Sequence, residues 1–517
     1  MSGKQAGVLA ILLAYMALNL VVGIWMSKQG EKKSGKGGFL QNYFIGGRSM
    51  GGFVLAMTLI ATYTSASSFL GGPGLASDWG LTQSWVAAIQ IGTAFITLGV
   101  VGKKLAVVSR RINAVTVTEY LRARYNSPAI VITCSVALLV FFAAQMVAQF
   151  MGGATLIQVA TGMPYIWGLV LFAAVVIIYT SIGGFRAVVI TDTIQGLVMT
   201  IGTFLFLFFV IRAGGGLGHI ETALDASNPG WNLLGMGDNG KTVLALSPGY
   251  LISFWVLVGV GVIGLPQTAV RSMGFKDTQS LHRALIYGTV TVGILMIGMH
   301  FAGTLTVPLV EGANLESTDQ VIPYVVMKYM PTWAAGLFLA APLAAVMSTV
   351  DSLMILASAT IIKDLYMNYI VKKDYRDAPR DEKAYVSETA EEEKKQQKKL
   401  SRASVLLTVA IGLIVFLCAI KPPSILVWVN LFAMGGLEAT FFWPLVGGLF
   451  YRKGTAAACL SSTVVGIAVF LFFNLNKIAP FHIHEIVLGL IAGGLTYFIV
   501  SKVQNKEPDP EMLKICF

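Results

Sequence analysis

The sequence predicts an all-α polytopic membrane protein of thirteen transmembrane helices, built around a 5+5 inverted repeat. Three observations carry that expectation. The 517 residues are 55% hydrophobic and only 12% charged, against about 25% charged residues in soluble domains, and mean hydropathy is +0.72. Apolar runs near the length of a membrane-spanning helix recur throughout, at 6–27, 50–77, 81–102, 128–160, 165–183, 188–213, 247–268, 284–308, 332–362, 403–420, 424–450, 455–474 and 485–502. Two of these runs, the second and the seventh, are interrupted by residues that an ordinary spanning helix avoids.

The first interrupted run spans 50–77. Its opening third is apolar, but Thr62, Thr64, Ser65, Ser67 and Ser68 then crowd hydroxyls together, and Gly71, Gly72, Pro73 and Gly74 follow. A backbone carbonyl bared in hydrocarbon costs several kcal/mol unless protein or ligand satisfies it. A broken helix at membrane depth therefore reads as the lining of a site, its free carbonyls ready to hold a cation. The bland alternative is a kinked packing helix with small residues for close approach. In the seventh run, Gly259, Gly261 and Gly264 match GxGxxG literally and are followed by Pro266 and Gln267. No strand precedes them within this apolar run, so a second broken helix is the better reading than a dinucleotide loop.

These breaks lie five spans apart, which is what two five-helix inverted repeats would give. The chain then divides into an extra N-terminal helix and basic loop (1–49), a first repeat (50–213), a second repeat (247–450, with a charged loop at about 364–402), and two further helices with a short tail (451–517).

The ninth run, 332–362, is the third helix of the second repeat, and Pro342 is expected to break or kink it. Beyond it, Ala345, Ser348, Thr349 and Ser352 fall at i, i+3, i+4 and i+7 on one face, with Asp351 beside them. Such a stripe can be a packing face, but hydroxyl oxygens are also hard ligands suited to sodium. An intramembrane carboxylate is a functional hypothesis by default. Tyr179 to Arg186 form a tight turn, after which Asp192 and Gln195 share a face of the next span.

Charge supplies the orientation. The +11 net charge does not point to nucleic acid, because basic residues gather in short loops. Lys28, Lys32, Lys33, Lys36 and Arg48 outnumber Glu31; Lys103, Lys104, Arg110 and Arg111 have no acid among them; Arg271, Lys276 and Arg283 occupy 269–283; Arg452 and Lys453 follow the eleventh span. All lie on one side if the N-terminus starts outside, which leaves the C-terminus cytoplasmic. The first run has its positive charges after it and no cleavage site, so it reads as a retained helix. Cys134, Cys418, Cys459 and Cys516 lack metal or disulfide spacing and read as free thiols. The five histidines lack ligand spacing too, and His482 and His484 read as solvated loop residues.

At these residues the chain resembles the sodium:solute symporter family, over nearly its whole length. TSIGGFRA (180–187), Thr191 to Gln195, and AAVMST (344–349) look like that family's signature segments. Three longer strings, GGRSMGGFVLAMTLIATYTSASSFLGGPG (46–74), FWVLVGVGVIGLPQTAVR (254–271) and SATIIKDLY (358–366), are similar to the branch that takes pantothenate.

The resemblance implies sodium as the coupling ion and pantothenate as the small-molecule substrate, in a bacterial inner membrane, with no protein partner required. It implies a sodium site of backbone carbonyls at Ala61, Thr64 and Ala345 and hydroxyls at Ser348 and Thr349. A second cation would sit at Asp192 and Ser352, near Ser348. Asp351 departs from the hydroxyl that such members carry, leaving open a site strengthened by charge, a proton site, or none. By position, the substrate would meet Tyr63, Ser65, Ser68, Gln90, Gln145 and Gln149, then Trp255, Val258, Val262, Trp428 and Asn430. Each Gln or Tyr could equally serve interhelical hydrogen bonding. No Arg or Lys stands ready for the substrate carboxylate, so a helix N-terminus or the bound sodium would supply the positive potential.

Other readings are a symporter for another small carboxylate such as proline or a sugar acid, a sensor, or an ion channel. The short tail after the last span argues against a sensor. No nucleophile–base pair or phosphate loop points to an enzyme.

Overall fold

Helix is the regular structure of the described residues, broken only by an isolated bridge between Met50 and Phe275. The computed structural model describes residues 1–32, 48–227, 248–371, 390–421, 426–506 and 508–517. The expected basic loop at 28–49 and the loop at 214–246 lie largely outside the described residues. The charged loop is likewise outside them at 372–389. Eleven helices are long and apolar enough to cross a membrane, and up to thirteen if each of two bent pairs counts as one span.

In chain order, α1 is Gly3–Lys32, and α2 (Gly52–Tyr63) and α3 (Ser67–Trp79) form the first bent pair. There follow α4 (Leu81–Arg111), α5 (Val117–Tyr125), α6 (Pro128–Thr161), α7 (Tyr165–Phe185) and α8 (Ala187–Ala213). The second bent pair is α9 (Gly249–Gly264) and α10 (Pro266–Met273). After α11 (Thr278–Thr304) and the short α12 (Val321–Tyr329) comes α13 (Thr332–Ile370). The remaining long helices are α14 (Ala390–Ala419), α15 (Leu426–Phe450), α16 (Ala456–Leu475) and α17 (Glu485–Gln504).

The most deeply placed helix is α13, whose most apolar stretch is buried throughout. Its run of Ala and Gly allows neighbours to approach closely, and α1, α2, α6, α7, α8 and α14 pack around it. Pro342 does not break it: the helix continues from Thr332 through Ala359. Pro342 lacks only an N–H, and its neighbours in a fully packed helix hold the turn in place.

Both breaks fall in the expected runs, though not at the glycines. The first lies at Thr64, whose backbone is extended (φ −71, ψ 130), and α2 and α3 diverge by 73°. The glycines that follow are helical. Their role is close approach: a Cβ on Gly72 would strike His300, and one on Gly74 would strike the Thr318 carbonyl. The second break lies at Leu265 (φ −83, ψ 112), with a 46° bend and Pro266 starting α10, where its missing N–H costs no bond.

Three loop expectations change. Arg271 is not a loop cation; it lies in α10 and is 1% exposed. Asp364 does not open the charged loop; it is buried on α13 and accepts a hydrogen bond from Thr116 Oγ1 at 2.9 Å. The eleventh helix, α11, starts at Thr278 rather than 284, because the Asp277 side chain caps it by accepting the Ser280 amide at 2.8 Å. The turn expected over 179–186 is helical but for one residue in the last turn of α7, Gly184 (φ 63, ψ −179).

Candidate functional site

Where α2 ends, its last carbonyls lack intrahelical donors, and α13 crosses beside them. Ser348 Oγ donates to the Ala61 carbonyl at 2.7 Å and to the Ala345 carbonyl at 3.1 Å. Thr349 Oγ1 donates to the Thr64 carbonyl and to the Ala345 carbonyl, both at 2.9 Å. Five oxygens, three carbonyl and two hydroxyl, thus converge from two helices. All five residues are buried. The set is neutral, and each hydroxyl can turn its proton away to offer a lone pair. Hard oxygen donors without thiol or imidazole suit a small hard cation.

A charged cluster lies along the same face. Arg271 Nε donates to Thr62 Oγ1 at 2.9 Å, and the guanidinium also bonds Ser352 Oγ and Asp192 Oδ2, the latter at 3.2 Å. Thr58 Oγ1 donates to Asp192 Oδ2 at 2.6 Å. Asp351 accepts from Tyr179 at 2.6 Å and from Ser352 at 3.3 Å. The Phe185 ring lies 4.5 Å from the guanidinium carbon. One guanidinium therefore serves a site with two carboxyls, and Asp192 Oδ1 has no hydrogen-bond partner. Gln195, expected beside Asp192, instead donates to Asn19 of α1 at 3.2 Å.

A cavity of about 60 Å³ opens beside the α2–α3 break, far below the about 300 Å³ at which drug-sized ligand sites begin. This arrangement is therefore contracted. Tyr63, Ser65, Ser68, Gln90, Val258 and Asn430 line it, as do Ser67, Gln83, Phe254, His300, Val427 and Met434. Tyr63 donates its hydroxyl to Gln90 Oε1 at 2.7 Å and to the Val258 carbonyl at 3.0 Å.

The other substrate candidates stand outside the lining. Gln149 Oε1 accepts from the Ala66 amide at 2.8 Å, and its Nε2 donates to Asn430 at 3.2 Å. It thereby ties the broken helix to α15. Gln145 accepts from Gln267 Nε2 at 3.3 Å. Trp255 donates to the Trp85 carbonyl at 3.1 Å. Trp428 packs on Trp79, with ring centroids 6.4 Å apart, and the Val262 carbonyl accepts from Thr268 at 3.2 Å.

Sequence reasoning missed Arg271 and His300. The signal for Arg271 was Pro266, which starts a new helix as readily as it ends one. His300 carries no positional signal; its ring nitrogen Nδ1 lies 2.7 Å from the Met296 carbonyl, within its own helix. His484 also differs from expectation, capping α17 by accepting the Ile486 amide at 3.3 Å.

A profile of the sodium:solute symporter family matches residues 43–466. A sodium/pantothenate symporter of Escherichia coli (strain K12) is 42% identical, with 98% of this chain and 99% of the relative covered. A sodium/pantothenate symporter of Haemophilus influenzae is 41% identical, covering 93% of this chain and 94% of the relative. Among solved structures, the substrate-bound outward-open state of a Na+-coupled sialic acid symporter aligns with TM-score 0.73. That match covers 97% of this chain and 99% of the other at 20% identity, so it speaks for the fold alone.

Proposed function

The chain belongs to the sodium:solute symporter family, and from that premise we propose that it imports pantothenate, driven by sodium, through alternating access of a 5+5 inverted repeat. The observation that carries this reading is the five-oxygen convergence at Ala61, Thr64, Ala345, Ser348 and Thr349. It joins the broken helix of the first repeat (50–213) to the third helix of the second (247–450), so a cation bound there couples their positions. The identity to curated sodium/pantothenate symporters supports the substrate.

Thirteen spans, with the N-terminus outside and the C-terminus cytoplasmic, follow from the loop charges. The cavity faces the substrate from α2, α3, α4, α9 and α15. Hydroxyls and amides at Ser65, Ser68, Gln90 and Asn430 suit a ligand with an amide and two hydroxyls. Gln149 holds the α2–α3 joint to Asn430 and so acts on the pocket through its wall. Sodium at the five-oxygen site, close to Ser65, supplies positive potential for the substrate carboxylate.

A second sodium belongs at Asp192, Asp351 and Ser352, in competition with Arg271. In the contracted arrangement the guanidinium holds Asp192, tying α10 to α8 and α13. When α10 swings away, two carboxyls are left facing one another, and a cation replaces the guanidinium. Purified protein in proteoliposomes tests the assignment. Uptake of labelled pantothenate should require an inward sodium gradient and resist competition by proline or a sugar acid. Uptake that persists without sodium, or yields to proline, overturns it.

A further inference from the structure

Among the described residues, Glu438 is the one carboxyl whose two oxygens are both buried and unbonded. It lies mid-span on α15, fully buried. Its position continues a stripe: Asn430 and Met434 line the cavity, and Glu438 follows at the next turn on the same face. The carboxyl is pressed against the second broken span. A Cβ on Gly261 would collide with Glu438 Oε2, and one on Gly264 would stand 3.1 Å from Glu438 Cα. Only glycine lets these backbones meet.

An ionised carboxylate here would be buried without a hydrogen-bond donor, at a cost of several kcal/mol. Sodium is a poor remedy, since it wants a shell of oxygens and no hydroxyl or amide bonds this carboxyl. A proton needs no shell. We propose that Glu438 is a proton-binding site, loaded while the glycine break of the α9–α10 span packs on it and emptied when that break moves off and water reaches the carboxyl.

The surroundings leave the proton on Glu438 without a rival. From α2, Tyr63 donates its hydroxyl to Gln90 and to the Val258 carbonyl. From α5, Arg124 and Tyr125 bond the Gly448 and Pro444 carbonyls, more than a turn further along α15. Tyr497 of α17 bonds Tyr125 at that same end. Tyr120 of α5 likewise meets α15 at Gly448, and Cys134 of α6 and Cys459 of α16 are buried thiols on helices packed against α15. Arg271, on α10, is spent on Asp192.

By linkage, a proton that binds the packed form better favours that form. Raising pH above the titration point should disfavour packing by about tenfold per pH unit. The test compares wild type with Glu438→Gln, full-length, in proteoliposomes at equal pH on both sides. Wild-type sodium-driven uptake is expected to fall by about tenfold for each pH unit above the titration point, while Glu438→Gln stays within about twofold of its pH 7 rate throughout. A parallel slope in both proteins overturns the proposal. Infrared spectra provide a readout independent of transport and of substrate identity. At neutral pH, the carbonyl stretch of a protonated carboxylic acid should be present in wild type and lost in Glu438→Gln. No difference in that band overturns the proposal even if the variant does not transport.

Discussion

Asp192→Asn is the sharpest perturbation of the proposed coupling, because it removes one charge and little else. Asparagine keeps an oxygen to accept from Thr58 and Arg271, and the guanidinium keeps Thr62 and Ser352. The charge count then sets the energetics. With Asp192 and Asp351 ionised and one Arg271, the cluster carries a net charge of one negative and calls for a cation. Two sodium ions per pantothenate monoanion move one positive charge inward. A tenfold sodium gradient contributes about 1.4 kcal/mol per ion, and 100 mV contributes about 2.3 kcal/mol. The sum, about 5.1 kcal/mol, supports accumulation of several thousandfold. In Asp192→Asn a single sodium remains, transport of the anion becomes electroneutral, and the limit falls to about tenfold. The assay is uptake into proteoliposomes with voltage clamped by a potassium gradient and valinomycin. The wild type should show a sodium Hill coefficient above one and voltage-dependent uptake; the variant should show neither. Wild-type uptake indifferent to voltage, with a Hill coefficient of one, refutes the second site and leaves only the five-oxygen one.

The remaining predictions are shorter. Ser348→Ala and Thr349→Ala each delete one of five converging oxygens, so the half-saturating sodium concentration should rise about tenfold to a hundredfold, for a loss of about 1–3 kcal/mol; unchanged sodium dependence in both removes the site. Gln149→Leu severs the α2–α3 joint at Ala66 from Asn430 and should weaken substrate affinity more than sodium affinity, whereas Gln145→Leu, which touches neither the joint nor Asn430, should do less. Asp319, in the segment before α12, accepts the Leu426 amide at 3.2 Å and is pushed by burial up to about 6. Protonation therefore favours the packed segment as the pH on its side of the membrane falls through about 6. Uptake should slow over that window in wild type, and Asp319→Asn should be slow and flat at every pH. A wild-type acid response in Asp319→Asn refutes that role.

Much of the architecture was legible because membrane helices announce themselves by length and apolarity. The five converging oxygens were legible in part, since Ala345, Ser348 and Thr349 share a helical face. The breaks fall inside the stretches read from sequence, at Thr64 among the hydroxyls and at Leu265 before Pro266, but not at the glycines themselves. Glycine-proline clusters signal broken helix, yet Gly71 to Gly74 are helical and serve close approach to His300 and Thr318. Arg271 was hidden because a charge after an apolar run counts as loop, and only the fold reveals that α10 carries it back among Thr62, Asp192 and Ser352. Glu438 left no trace in periodicity, because what isolates it is the missing Cβ of Gly261, on another helix.

The single-residue joint at Gly184 has a mechanical consequence. Its backbone angles (φ 63, ψ −179) lie in a region essentially reserved for glycine, so the joint has neither slack nor tolerance for a side chain. Two spans hinged on one stiff vertex behave as a bracket: tilting one arm tilts the other. Asp192 sits eight residues past the vertex, about 12 Å up the second arm. A small rotation of α7 therefore becomes a displacement at the carboxylate. Lengthening this joint by even one residue would uncouple Asp192 from the tilt of α7, while leaving every side chain of the cluster in the chain.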